Sequence, residues 1–308
     1  MDSREEELDS FKRNIDLSAY AASIGYVKDK GKSSASSVSM KHSNGDRIVI
    51  SIKNGYWVYF SAHDSPENNN HGTIIDFVQK TDNANLGEVR VILRDYLKLP
   101  STPIYSQHFK KPLKEREIDI PGIKSFLKRF KPVDSSNYLE GRGITQETLT
   151  NPLFKERILQ GFDDAVIFPH WNSQGICGYE IKKEGFTSFA KKGIKSLWRS
   201  KIVDEVKTII FTESIVEALS YYQLFIPEHV LFVTASGNWS ETAESLIKAL
   251  LSKHSKCCLV AAFNNDKGGE HHAGKLLELA TVTGLTNYKK HFPEKKGHDW
   301  NDVLTGGH

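Results

Sequence analysis

Two apolar runs that each end in an acid constrain this chain more than any other feature. One is Thr208-Ile-Ile-Phe-Thr-Glu213 and the other is Cys257-Cys-Leu-Val-Ala-Ala-Phe-Asn-Asn-Asp266. Each run is partly β-branched and passes at once into a helical pattern, as a buried parallel strand does when it delivers its C-terminal end into a crevice. Ile215, Ala218, Leu219 and Tyr222 follow Glu213 at helical spacing, His229 to Thr234 is another β-rich run, and Leu246, Ala249, Leu250 and Lys253 continue a helix. Gly268 and Gly269 then open a helix carrying Ala273, Leu276, Leu277 and Ala280. Strands alternating with helices imply right-handed parallel crossovers, which place Glu213 and Asp266 at one edge of one sheet. Ligand sites of open α/β sheets sit at such edges.

Carboxylates gathered there repel one another unless a cation, a shared proton or solvent lies between them. Hard oxygen ligands suit Mg²⁺, which keeps several waters and binds substrate phosphates. In the alternative reading Glu213 is a helix N-terminal acid and Asp266 a turn residue.

The order of these motifs resembles the Toprim fold shared by primases, topoisomerases and several nucleases. The carriers are Glu213 between strand and helix, the Asn264-Asn-Asp-Lys-Gly-Gly turn, and His298-Asp-Trp-Asn-Asp-Val-Leu304, which is similar to the ending of Toprim domains in primase-like proteins of plasmids and other mobile elements. The resemblance implies a Rossmann-like parallel sheet flanked by helices, and a metal site for Mg²⁺ or Mn²⁺ built from a glutamate and an Asp-x-Asp pair. Glu213 matches the glutamate, a general acid/base or metal holder, and Asp266 the second aspartate. The first aspartate falls on Asn264, whose amide oxygen coordinates without charge. Asp299, Asp302 or Glu270 then has to compensate.

The 308 residues suffice for two or three domains, and 39% hydrophobic with 26% charged residues is a globular composition. No run approaches the ~20 apolar residues of a membrane span and the N-terminus lacks signal-peptide character, so the sequence reads as cytoplasmic with no membrane partner. Cys177, Cys257 and Cys258 have no CxxC spacing and read as structural.

Residues 1–100, like the middle module after them, read as α+β. Asp16 caps a short helix that ends at Gly25. Strand-like runs follow at Ser37 to Lys41, Arg47 to Ile52 and Tyr56 to Ser61, the last two joined by an Asn-Gly hairpin turn, and helices begin at His71 and Glu88. This order resembles the zinc-ribbon module of bacterial primases, but the module has no cysteine and its histidines lack zinc spacings, so no zinc is expected. Tyr56, Trp57, Tyr59, Phe60, Ile75 and Phe77 read as its core, and contact with single-stranded template as its role.

Residues 101–115 read as a linker, 116–205 as a basic middle module and 206–308 as the Toprim domain. Asn137-Tyr-Leu-Glu-Gly-Arg-Gly-Ile144, the Val166 to Pro169 and Gly175 to Ile181 hairpin and the lysine-rich segment after it resemble the first half of the primase polymerase core. That resemblance makes Arg142 and Lys192 phosphate contacts. Lys191, Lys195, Arg199, Lys128 and Arg129 join them as candidate nucleic-acid contacts because Lys110 to Lys131 and Lys182 to Lys201 are the two basic clusters, although net charge is only +3. Solvated surface lysine is the competing reading.

The expected activity is primase-like nucleotidyl transfer on single-stranded DNA with nucleoside triphosphates. A metal-dependent nuclease and an accessory protein with a retired metal site are the alternatives. GxxxxGK[ST] is absent, so duplex opening is expected from a helicase or relaxase partner. Plasmid transfer, element replication and phage defence all fit the resemblance.

Overall fold

The computed structural model describes residues 3–61, 70–98, 115–237 and 239–306. Almost all of the expected linker, together with His63, Lys110, Lys111 and Lys114, lies outside the described residues. The fold is mixed α/β, and the chain divides into two compact units, Met1–Glu117 and Ile118–His308.

In the first unit, helices α1 (Ser3–Asn14), α2 (Leu17–Ser23), α3 (Ile74–Asp82) and α4 (Leu86–Lys98) accompany an antiparallel sheet. Its strands β1 (Val27–Lys28), β2 (Ser37–Lys41), β3 (Arg47–Lys53), β4 (Tyr56–Ser61) and β5 (His71–Thr73) lie in chain order. Asp16 caps α2 through the amides of Ser18 and Ala19, as the sequence implies. Asn54 and Gly55 both take positive φ, at 53° and 75°, which is the geometry a two-residue hairpin demands. Two expectations shift. The segment at His71 begins as a strand, and the helix waits for Ile74 because Thr73 and Asp76 form a capping box. Tyr59, Ile75 and Phe77 are buried, but Tyr56, Trp57 and Phe60 are only half-buried. Tyr56 faces α1, donating its hydroxyl to Asp9 at 2.6 Å and accepting from Arg13 at 2.7 Å.

The second unit carries two sheets. Strands β6 (Leu159–Gln160), β7 (Val166–Asn172), β8 (Gly175–Lys183) and β9 (Phe186–Phe189) form an antiparallel sheet backed by α5 (Ile120–Leu127). Strand β7 extends through His170 to Asn172, beyond its expected end, with an irregularity between His170 and Trp171. Short helices α6 (Asn137–Glu140) and α7 (Gln146–Thr150) precede it.

The other sheet has the order β10 (Trp198–Arg199), β12 (Val230–Thr234), β11 (Thr208–Phe211), β13 (Cys258–Ala261), β14 (Tyr288–Lys290). Strand β10 is antiparallel to β12, and the other pairs are parallel. The connections are α8 (Ile215–Phe225), α9 (Glu241–Lys253) and α10 (Lys267–Val282), and α11 (Trp300–Thr305) closes the unit.

Strand period 2 divides the buried side chains between two faces. Ile210, Phe232 and Val260 face one core with Ile215, Leu219 and Trp300. Ile209, Phe211, Leu231, Val233, Leu259 and Ala261 face another with Ile247, Leu251, Ala273 and Leu276. The first core also takes in Leu139, Phe154, Phe168 and Trp198, so the segment before residue 206 and the sheet after it share one interior. Fully burying one such side chain stabilises by about 1.5–3 kcal/mol, so this double-faced sheet is a rigid base for its loops.

Candidate active site

Parallel pairing of β11 with β13 sets Phe211 opposite Ala261. Glu213 and Asn264 therefore leave neighbouring strands at the same rim, and Asp266 follows as the first turn of α10 begins. The shallow cleft lined by Asn151, Leu153, Tyr222, His229 and Val230 lies at the opposite rim.

A set of hydrogen bonds holds the Glu213 loop. Ser214 caps α8 by accepting the Glu217 amide at 3.3 Å, and the Glu217 carboxyl accepts the Glu213 amide at 3.2 Å and the Ser214 hydroxyl at 2.8 Å. Thr234 at the end of β12 donates its hydroxyl to the Glu213 carbonyl at 2.9 Å. Burial pushes the Glu217 carboxyl up to about 8 against the Ser214 hydrogen bond, and the charges of Glu213 and Asp299 push the same way. Glu217 is therefore driven towards its neutral form. The Glu213 side chain points elsewhere: its Oε1 is buried with no hydrogen-bond partner among the described residues and lies 3.9 Å from Nδ1 of His272.

The other acids have structural bonds. Asp266 caps α10, accepting the Gly269 amide at 2.8 Å. A side chain on Gly269 would collide with the Asn264 carbonyl oxygen, so this glycine lets the helix start against the strand end. Asp299 and Asp302 form a reciprocal capping box on α11. Trp300, fully enclosed, donates its indole N–H to the Ala262 carbonyl at 3.0 Å. Glu270 is exposed and pairs with Lys290 at 2.6 Å. Asn264 Oδ1, like Glu213 Oε1, is buried without a hydrogen-bond partner among the described residues.

Among the described residues no three His, Cys, Asp or Glu side chains gather as a metal cage. Two oxygens on the rim's strand ends have no partner among the described residues, the carboxylate Oε1 of Glu213 and the amide Oδ1 of Asn264. Two hard oxygens with open positions fit a Mg²⁺ or Mn²⁺ ion that keeps water and substrate ligands.

The basic candidates are dispersed. Arg142 precedes α7 and turns to α11: its guanidinium donates to Asn301 Oδ1 at 3.3 Å, and Asn301 Nδ2 donates to the Arg142 carbonyl at 2.6 Å. Lys195 lies 4.7 Å over the Phe189 ring, where burial lowers its pKa, near the buried carboxylate of Glu180. Glu180 accepts the Ser236 hydroxyl at 3.1 Å and pairs with Lys182 at 3.4 Å. Burial also lowers Arg199, on edge strand β10. Lys191 and Lys192 are exposed on the loop before β10. Lys128 ends α5, and Arg129 packs 4.7 Å over Phe126.

Residues 210–304 match the family model described as Toprim-like. They form a Toprim-like domain. No curated protein matches the chain. Among solved structures, the primase fragment of the bacteriophage T7 primase-helicase protein aligns at 18% identity and a TM-score of 0.38, over 68% of this chain and 83% of that one. No helix among the described residues is long and apolar enough to cross a membrane.

Two residues at the Toprim-like rim escaped sequence reasoning. Glu217 has a readable signal, because Ser214-Ile-Val-Glu217 has the spacing of a capping box. His272 has none, since its approach to Glu213 depends on how α10 packs.

Proposed function

We propose that this chain is a metal-dependent nucleic-acid enzyme that carries out primase-like nucleotidyl transfer on single-stranded DNA. The observation that carries the reading is the buried Oε1 of Glu213, without a partner among the described residues, at the strand edge of a Toprim-like domain. Glu213 and Asn264 would hold the cation, and Asp266 has a carboxylate oxygen beyond the one engaged in capping. A divalent ion bound there supplies charge stabilisation to a transferring phosphoryl group.

The chain's own residues do the rest. Glu217 and Thr234 fix the Glu213 backbone, so the carboxylate is presented without reorganisation. Lys191, Lys192, Lys195 and Arg199 provide positive charge along the approach to β10 and steer a phosphodiester backbone.

A Toprim nuclease is the second reading, because the same carboxylate can activate water in place of a 3′-hydroxyl. The amide at Asn264, together with the capping roles of Asp266, Asp299 and Asp302, favours a weak metal site and with it an accessory role. One comparison separates the readings. Full-length wild type and Glu213→Gln are incubated with single-stranded DNA, Mg²⁺ or Mn²⁺, and labelled nucleoside triphosphates. Primer synthesis by wild type, lost in the folded variant, is expected. Undiminished synthesis by the variant removes Glu213 from the mechanism, and shortened strands without nucleotides replace the primase reading with the nuclease.

A further inference from the structure

His272 stands on the buried side of α10, only 9% exposed, with its ring stacked on Trp239 at 5.5 Å and 12° and tilted against Phe263 at 5.6 Å and 49°. This aromatic clamp fixes the plane of the imidazole. Its Nδ1 is buried, has no hydrogen-bond partner among the described residues, and lies 3.9 Å from the equally unpaired Glu213 Oε1. That gap is too long for a hydrogen bond. Each polar atom left in this state costs about 1–3 kcal/mol, so a third species between them would recover a large penalty.

With its hydrogen on Nε2, the imidazole presents a lone pair at Nδ1. Glu213 Oε1 is an acceptor as well, so the two facing atoms both lack a donor among the described residues. A divalent cation answers both lone pairs and the buried carboxylate charge at once, which a neutral water does not.

We propose that His272 Nδ1 is a nitrogen ligand of the divalent cation at this rim, alongside Glu213 Oε1, and that it makes the site select Mn²⁺ over Mg²⁺. The inference deepens the metal-dependent reading above and rests on it. Asn264 lowers the negative charge of the site, which weakens every hard cation. An imidazole adds a softer donor that Mg²⁺ does not favour and transition-metal dications accept. The stacking on Trp239 holds that donor in place.

The test titrates MnCl₂ and MgCl₂ separately into the full chain by calorimetry, for wild type, His272→Ala and His272→Phe. The phenylalanine keeps a ring against Trp239 and removes the nitrogen. Pulsed electron paramagnetic resonance of bound Mn²⁺ then reads ligand nitrogen directly. Wild type should bind Mn²⁺ more tightly than Mg²⁺ and show nitrogen coupling. His272→Phe should lose the coupling and at least about tenfold in Mn²⁺ affinity, the loss that removing even a group hydrogen-bonded to a ligand produces. Equal Mn²⁺ affinity in wild type and His272→Phe, or no nitrogen coupling in wild type, overturns the role of His272 and leaves the metal reading standing. If wild type binds neither ion, both readings fall together.

Discussion

Glu217 accepts the backbone amide hydrogen of Glu213 at 3.2 Å, so one acid of this rim holds the loop on which the other is displayed. The two carboxyls lie in different surroundings. Glu217 is enclosed and driven towards its neutral form, while Glu213 keeps an oxygen with no partner among the described residues. One sequence segment thereby yields an acid that holds the loop and an acid whose side-chain oxygen has no partner among the described residues.

The join between β13 and α10 is tested by a pair of glycine substitutions. Gly269→Ala should destabilise by about 1–3 kcal/mol, because its Cβ strikes the Asn264 carbonyl and the strand end must shift. Gly274→Ala, in the same helix with nothing within 4 Å of a new Cβ, should stabilise by about 0.5–1 kcal/mol. Urea denaturation of both variants checks the pair, and equal effects would contradict the close approach.

Arg142 and Asn301 should couple. Asn301 is buried and also donates to the Ser220 hydroxyl at 3.1 Å, so Asn301→Ala strands two acceptors as well as releasing the Arg142 guanidinium. A double-mutant cycle with Arg142→Ala, measured by chemical denaturation, should give an interaction energy of about 0.5–3 kcal/mol. Strict additivity would mean that Arg142 is available for phosphate instead.

His170 predicts an acid-sensitive interior. Burial, with Lys195 nearby, pulls this histidine from 6.5 down to about 3, and its Nδ1 accepts the Ser196 amide at 3.2 Å. The unfolded chain binds the proton at a higher pH than the folded chain, so stability falls as pH drops below about 6.5 and continues to fall towards 3. Between pH 7 and pH 5 wild type should lose roughly 2 kcal/mol more than His170→Gln. Parallel melting curves for the two proteins across that interval would contradict a buried neutral imidazole.

Binding to labelled single-stranded DNA should depend steeply on salt if the lysine-rich segment before β10 meets phosphates. Replacing Lys195 or Arg199 by alanine should lower the slope of log affinity against log salt by about 0.7 for each phosphate that is no longer neutralised. Unchanged slopes would assign these cations to the protein surface alone.

Apolar patterning along the chain is sufficient to dictate the double-faced parallel sheet, because uninterrupted runs such as Ile209 to Phe211 and Leu259 to Ala262 have to be covered on both sides, and parallel crossovers bring Glu213 and Asn264 to one rim. The turn at Asn54 and Gly55 is equally legible, since few residues accept positive φ. Which polar groups stay unpaired at the rim is settled only by packing in three dimensions. Asp266, Asp299 and Asp302 each accept a local amide at a helix terminus through one carboxylate oxygen. His272 reached Glu213 only through the packing of α10 against Trp239 and Phe263, and Arg142 turned to Asn301 across a long stretch of chain. Spacing along a sequence fixes the face of a strand or helix on which a side chain stands, but the distance between two such faces is set by how the elements pack.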